Sequence, residues 1–385
     1  MRLVLAGGGS AGHINPMLSV AEEAQKRGFL VSIIASSTGI DQNLLNKKKH
    51  DVVFIKKIPF PRIPCKKDIL SLSDLLLFIN FLKKTLVFPV AFLLETRKCI
   101  KILKIRKTDA VLGFGGFVSA PVYLASKILK IPLYIHEANS KMGLSNKLGS
   151  RFAKIVFTAF PEIDVKTTKC QFVGLPLRKE FLTSLDGKNK YNKNKIIKLR
   201  PSSKLTLLVF GGSLGAKSIN QAVYEALPDL LKICNIIHIT GLGKNIGLTK
   251  VNEAQKFKQK NLSYIQLEYC NDMASVLKES DFAIARAGAG TVLEFASMGL
   301  AACFVPLPIG NGEQSLNANY LVKANAAIIC DDAHFTSKFI KNTIIPLLKN
   351  SKKIAQMGQN AKNFGVFRAD EKIVKIILSD IKNKK

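Results

Sequence analysis

Acidic residues are scarce in this chain. Only 27 Asp and Glu stand against 58 Lys and Arg in 385 residues, a formal charge of +31. The excess is evenly spread, with 25 basic against 9 acidic side chains in residues 1–160 and 33 against 18 in residues 161–385. A nucleic-acid binder more often gathers its charge in one patch, and no C₂H₂, RRM or bZIP motif is present, so no nucleic-acid partner is expected. An anionic membrane surface remains a candidate partner, at about 1 kcal/mol per well-placed basic residue.

Closely spaced cysteines are also missing. The seven, at 65, 99, 170, 234, 270, 303 and 330, form no CxxC and no zinc spacing. This excludes a zinc module and a disulfide framework, and it suits free thiols in a reducing compartment. The start MRLVLAGGGS is too short in apolar residues for a signal peptide, so a cytoplasmic protein is expected. Long charge-free apolar runs are lacking as well. The greasiest stretch, 69–94, is interrupted by Asp74, Lys83 and Lys84. Its charge-free pieces, 75–82 and 85–94, fall well short of the ~20 residues that span a bilayer. Pro89 is expected to strain a long helix there. A buried helix pair and an interfacial patch both fit the stretch. Ringed by Lys66, Lys67, Lys83 and Lys84, a patch over 66–94 would suit a peripheral membrane dock.

What is present is a repeated alternation of apolar strand, glycine turn and amphipathic helix. Residues 3–6 read as a strand, followed by GGGSAGH, a helix to about Arg27 and a second strand over 29–35. Gly7, Gly9 and Gly12 satisfy GxGxxG in its proper context. The dinucleotide fingerprint also needs an acid at the end of the second strand, and here Ser36, Ser37 and Thr38 stand instead, with Asp41 the first acid. His13 follows the glycines at the helix start. It is either a polar filler of the turn or a base at the carboxyl end of the first strand, where open α/β sheets bind ligands. Further strands read at 110–113, 133–136 and 155–158, with the glycine turn FGGFVSAP after the first and HEAN, containing Glu137 and Asn139, after the second.

The pattern restarts in the second half. Arg178 follows GLPL, 187–200 reads as a solvated Lys/Asn loop, and 205–210 is a strong strand before GGSLGA. The most informative segment is 281–308, DFAIARAGAGTVLEFASMGLAACFVPLP. It reads as strand, small-residue turn, helix, strand. Such a turn presents unpaired N–H groups at a positive helix end, which suits a phosphate. Glu294 lies one helical turn after Thr291, where its carboxylate can accept from a ribose diol. The plainer reading is a capping box with Thr291 as N-cap. Each half thus opens with its own βαβ unit. The fold class expected is α/β, two Rossmann-like doubly wound domains facing across a cleft. The expected domains are 1–163, facing acceptor and membrane, 164–360, binding the nucleotide, and a helix in 361–385 that can pack back on the first. A nucleotide on the second domain and a base on the first is the layout of a nucleotide-sugar transferase.

Taken together the motifs resemble one family, the MurG family of GT-B glycosyltransferases, which move N-acetylglucosamine from UDP-GlcNAc to the lipid-linked muramyl pentapeptide lipid I. GGGSAGHINP, GGFVSAP, HEAN, GLPLR, GGSLGA, AGAGTVLE and EQSLNA are similar to its motifs, in order, from Gly7 to about Ala318. The resemblance implies that Ser10, Ala11 and Gly12 close over the diphosphate side and that His13 is the base, with Glu137 as second choice. It implies donor contacts from Asn139, Arg178, Ser213, the backbone at Cys270, and Ala289, Gly290 and Thr291. Glu294 would hold the ribose, and Gln314 with Asn317 the sugar hydroxyls. Phe117, Ala138, Leu175, Leu214 and Gly290 depart from the family's usual residues. No metal or cofactor is expected, because no DxD-like carboxylate pair stands near the donor turns. UDP-GlcNAc and lipid I are the implied substrates, cell-wall synthesis proteins are possible partners, and the cytoplasmic face of the bacterial inner membrane is the implied location. Another GT-B glycosyltransferase is the main alternative, and an NAD-dependent oxidoreductase a weaker one.

Overall fold

The computed structural model describes residues 1–37, 41, 42, 45, 50–58, 72–163, 169–181, 204–212, 215–244, 264–308 and 312–383; the side chains of 72–80 and 82–84 lie outside that set. The chain divides into two compact units. Unit 1 comprises Met1–Ala138, Met142–Pro176 and Asp370–Lys385, and unit 2 comprises Asn139–Lys141 and Leu177–Ala369.

Unit 1 holds a sheet of seven strands: β1 Arg2–Ala6, β2 Leu30–Ser36, β3 Asp51–Ile55, β4 Ala110–Gly113, β5 Leu133–Glu137, β6 Ile155–Thr158 and β7 Cys170–Phe172. Their order is β3-β2-β1-β4-β5-β6-β7, and every pair is parallel. Parallel strands covered on both faces need continuous apolar runs. LVLA in β1 and AVLG in β4 meet that need, buried throughout. Helix α1, Ala11–Lys26, lays Ile14, Met17, Val20, Ala21 and Ala24 on one face of the sheet. The helix Ala369–Lys382 at the far end of the chain adds Ile373, Val374, Ile377 and Ile381 to the same core. Tyr134 Oη donates to Asp380 Oδ2 at 2.6 Å, and Lys154 Nζ pairs with Asp380 Oδ1 at 2.6 Å, fixing that helix's last turns.

The opposite face is covered in part by α2, Leu72–Ile105, through Cys99 and Leu103. The buried helix pair expected in 69–94 is not what forms, because one helix runs through Pro89 from residue 72 onward. Pro89 is exposed. The carbonyl that its missing N–H leaves unpaired in such a helix can therefore turn to water. Leu86, Val87, Val90, Leu93 and Leu94 are 51–77 % exposed, so this half of the helix is not core. Among the described residues no helix is long and apolar enough to cross a membrane.

Unit 2 repeats the plan with β8 Thr206–Phe210, β9 Asn235–Ile239, β10 Tyr264–Leu267, β11 Phe282–Ala285, β12 Ala301–Phe304 and β13 Ala327–Ile329. The order is β10-β9-β8-β11-β12-β13, again all parallel. In both sheets the first strand lies beside the fourth, and the winding reverses between them. Ligands bind at such switch points, outside the carboxyl ends of the strands. In unit 1 that point joins the turn after β1 to the turn after β4. In unit 2 it joins the turn after β8 to the turn after β11. The glycine turns singled out in the sequence are those four turns.

Candidate active site

In unit 1 the turn after β1 packs tightly on the turn after β4. A Cβ on Gly116 (φ +83°) would stand 2.2 Å from the Gly8 carbonyl oxygen, so only glycine lets the two turns cross. His13 sits in the first turn of α1. Its Nδ1 lies 3.1 Å from Gly8 O and 3.0 Å from Ser10 Oγ. A carbonyl oxygen only accepts, so Nδ1 carries the proton and Nε2 keeps a free lone pair. Burial pushes the imidazole pKa down, against the upward pull of Glu137, the Gly8 carbonyl and Asp41. A neutral ring with an open Nε2 is the form a general base requires.

Glu137, at the end of β5, is 2 % exposed. Its Oε2 accepts from Gly143 N at 3.0 Å and Asn146 Nδ2 at 2.8 Å. Asn146 Oδ1 in turn accepts from Tyr123 Oη at 2.8 Å. This buried chain makes Glu137 an anchored charge beside the His13 pocket. Ser10, Ala11 and Gly12 form the edge of the turn and are at least partly exposed.

In unit 2 the turn after β11 leads into α3, Ala289–Met298. The plainer alternative, a capping box, does not form. The N-cap position is Gly288, which has no side chain to offer, and Thr291 is already inside the helix. Two small residues before Thr291 let the helix begin early, so Glu294 has no cap to complete. Gly299 closes the helix with φ +69°, and Leu300 N bonds Phe295 O at 2.9 Å, the left-handed ending that glycine permits. The N–H groups of Ala289, Gly290 and Thr291 have no partner within the helix. Among the described residues no atom lies within 4 Å of where a Cβ on Gly288 or Gly290 would stand. Packing among the described residues does not demand glycine at either position.

Glu294 projects from α3 toward Arg178, with Oε1 3.6 Å from Arg178 Nη2 and a side chain 17 % exposed. Burial raises its pKa to about 7, with the Arg178 guanidinium pulling the other way. The Arg178 guanidinium stacks over Phe181 at 5.0 Å from the ring centroid, and its buried Nε has no hydrogen-bond partner among the described residues. Its charge also reaches the buried Cys270 thiol, whose pKa burial raises. Three of the expected donor residues, Arg178, Cys270 and Glu294, are thus brought together. Gln314 is half-buried and accepts from Leu307 N at 3.0 Å, across the turn after β12. Asn317 is fully buried. Its Oδ1 accepts from Ser140 N at 2.9 Å, and its Nδ2 donates to Asn139 Oδ1 at 3.2 Å and Ala287 O at 3.3 Å. Its side chain is spent on clamping Asn139 to the turn after β11. Ser213 lies outside the described residues.

Two contributors went unread in the sequence. Arg286 Nη1 donates to Val305 O and Pro306 O, both at 3.1 Å, and Nη2 to Ser218 Oγ at 2.9 Å; it also pairs with Asp332 at 2.6 Å. One guanidinium so ties the ends of β11 and β12 to the helix after β8. Asp41 accepts from the backbone of the first glycine turn. Arg286 carried a signal, as a lone charge ending an apolar strand. Asp41 carried none beyond being the first acid after β2.

Family models for the glycosyltransferase family 28 N-terminal domain and C-terminal domain match residues 3–158 and 206–373. The UDP-N-acetylglucosamine--N-acetylmuramyl-(pentapeptide) pyrophosphoryl-undecaprenol N-acetylglucosamine transferase of Paenarthrobacter aurescens is 34% identical to this chain, covering 99% of it and 96% of its own length. The protein of the same name from Streptomyces avermitilis is 35% identical, covering 99% of each. Among solved structures, Acinetobacter baumannii MurG is similar at a TM-score of 0.74 and 31% identity, covering 98% of this chain and 99% of its own. The UDP-GlcNAc 2-epimerase of Neisseria meningitidis, at 14% identity and a TM-score of 0.65 over 98% of this chain and 100% of its own, shares the fold alone.

Proposed function

The chain belongs to glycosyltransferase family 28 and has the GT-B fold, and on that premise we propose that it moves N-acetylglucosamine from UDP-GlcNAc to the C4 hydroxyl of the muramyl sugar of lipid I, yielding lipid II for peptidoglycan. The observation that carries this reading is the Arg178–Glu294 pair beside the open glycines 288 and 290. It supplies a cation for a diphosphate, a carboxylate for a ribose diol and bare helix amides for phosphate oxygens.

The reaction is a single displacement with inversion. The acceptor O4 forms a bond to the anomeric carbon while the bond from that carbon to the UDP oxygen breaks. His13 Nε2 takes the hydroxyl proton, and Glu137 favours the imidazolium that results. UDP leaves with the bonding pair. Arg178 and the N–H groups of residues 289–291 stabilise the charge that develops on its phosphate, and Ser213 is expected to join them. Glu294 holds the ribose. Gln314 is the candidate for the sugar hydroxyls, while Asn317 acts through Asn139. These groups perform the charge stabilisation without a metal or cofactor.

The exposed apolar face of α2 is the candidate dock on the cytoplasmic face of the inner membrane, helped by the chain's positive charge. Incubation with labelled UDP-GlcNAc and a lipid I analogue should give labelled lipid product. Label passing to another acceptor, or release of UDP with no lipid product, sinks the assignment.

A further inference from the structure

A glycine turn between a parallel strand and a helix ordinarily offers its amides to a bound phosphate. In unit 1 the Gly9 amide is already taken. Asp41, completely buried, accepts from Gly9 N with both carboxylate oxygens, at 3.0 and 2.9 Å, and from Ser36 N at 3.2 Å. The anion at this amide is part of the protein.

The Gly9 N–H and the Gly8 C=O are the two ends of one planar peptide group. Asp41 holds the N–H end. The C=O end, pointing the opposite way, accepts from His13 Nδ1 at 3.1 Å. Fixing one end of a rigid plane fixes the other. A hydrogen bond at one end also polarises the bond at the other. We infer that Asp41 is the positioning residue of the general base: through the Gly8–Gly9 peptide its carboxylate holds His13 in the Nδ1–H tautomer with Nε2 aimed at the acceptor, and it keeps the Gly9 amide from binding phosphate. Glycine at position 8 belongs to the same device, because a Cβ there would stand 2.3 Å from Asp41 Oδ2. The groups facing the His13 ring are Asp41, Glu137 at the end of β5, the Gly8 carbonyl, Ser10 Oγ and the backbone at Gly115, whose Cβ position lies 3.4 Å from Nε2.

The inference rests on His13 being the base, so His13→Ala is the control: near-normal turnover of that variant fails the functional reading itself. Given an inactive His13→Ala, Asp41→Asn should lower kcat about 10- to 100-fold with the KM for UDP-GlcNAc within about twofold of the parent. The acid limb of the kcat/KM pH profile should move to lower pH, because a carboxylate that favours imidazolium has gone. Histidine ¹⁵N NMR of the unaltered protein should show His13 protonated at Nδ1, and Asp41→Asn should mix the tautomers. Gly8→Ala, which crowds the carboxylate while keeping its charge, should reproduce the kcat loss. A parent His13 protonated at Nε2 overturns the inference. So does Asp41→Asn with parental kcat and pH profile, or with its loss confined to donor KM. If Asp41→Asn fails to fold, Gly8→Ala and the parent spectrum decide.

Discussion

Glu294 carries two assignments that pull its proton in opposite directions. Burial favours the neutral acid and raises its pKa to about 7, yet the ribose role proposed for it requires the carboxylate. Donor binding should therefore release a proton near neutrality. The Kd for UDP-GlcNAc, followed by calorimetry between pH 6 and 8, should rise toward about tenfold per unit as pH falls below 7. Glu294→Gln should bind the donor about 10- to 100-fold more weakly at pH 8 and lose the pH dependence, since hydrogen bonds to charged groups contribute about 1.5–3 kcal/mol. A flat profile in the parent protein removes Glu294 from the ribose. At this scale motif residues are legible in the sequence and their contacts are not. His13, Arg178 and Glu294 stand in motifs whose spacing is visible. Asp41 reaches Gly9 across 32 residues, and Asn317 reaches Ser140 across 177. No local pattern records such a contact.

Among the elements, α2 carries a run of exposed apolar side chains. Glu95, Thr96, Cys99 and Leu103 form its buried stripe, while Leu86, Val90 and Leu93 face out at helical spacing. Changing Leu86 and Leu93 to Asp should cut co-sedimentation with anionic vesicles at least tenfold. It should leave the melting temperature nearly unchanged, because exposed substitutions away from special features stay within about 0.5 kcal/mol. Unaltered vesicle binding removes this face from the dock. Strand and turn positions were legible because glycine and buried apolar runs have local causes. The start of α3 was not. Its cap is Gly288, and a glycine N-cap leaves no side-chain signature three residues on. The stretch 69–94 misled for a related reason: apolar content says that a surface will be covered, not what covers it.

For the molecule as a whole, a segment remote in sequence from the rest of unit 1 bears on its stability. The helix Ala369–Lys382 places four apolar side chains in unit 1's core, each contributing about 1.5–3 kcal/mol when fully buried. Deleting 369–385 should lower the calorimetric transition of unit 1 markedly or leave the protein insoluble. An unchanged transition means the helix is dispensable. At the start of this helix Asp370 is 7 % exposed, and its Oδ1 has no hydrogen-bond partner among the described residues. Burial first, then Glu23 and Glu371, raise its pKa from 3.8 to about 6. The folded state thus holds this proton more tightly than the unfolded chain. The contribution to stability is full below about pH 4 and is lost as pH rises through 6. At pH 7 the group opposes folding, so Asp370→Asn should raise the melting temperature by a few degrees, for up to about 2 kcal/mol, and the gain should vanish near pH 4. A lower melting temperature at pH 7 contradicts the sign.

Two α/β units, the order of the seven motifs and the glycine turns that end the strands were readable along the chain, because backbone freedom and burial periodicity act between near neighbours. Folding settled something different: which turns stay open and which are already occupied. Among the described residues Gly288 and Gly290 face open space, the Gly9 amide is filled by Asp41, and Asn317 is consumed by a clamp. Each depends on where a distant side chain comes to rest, and sheet topology sets that, since strands remote in sequence become neighbours at the switch points.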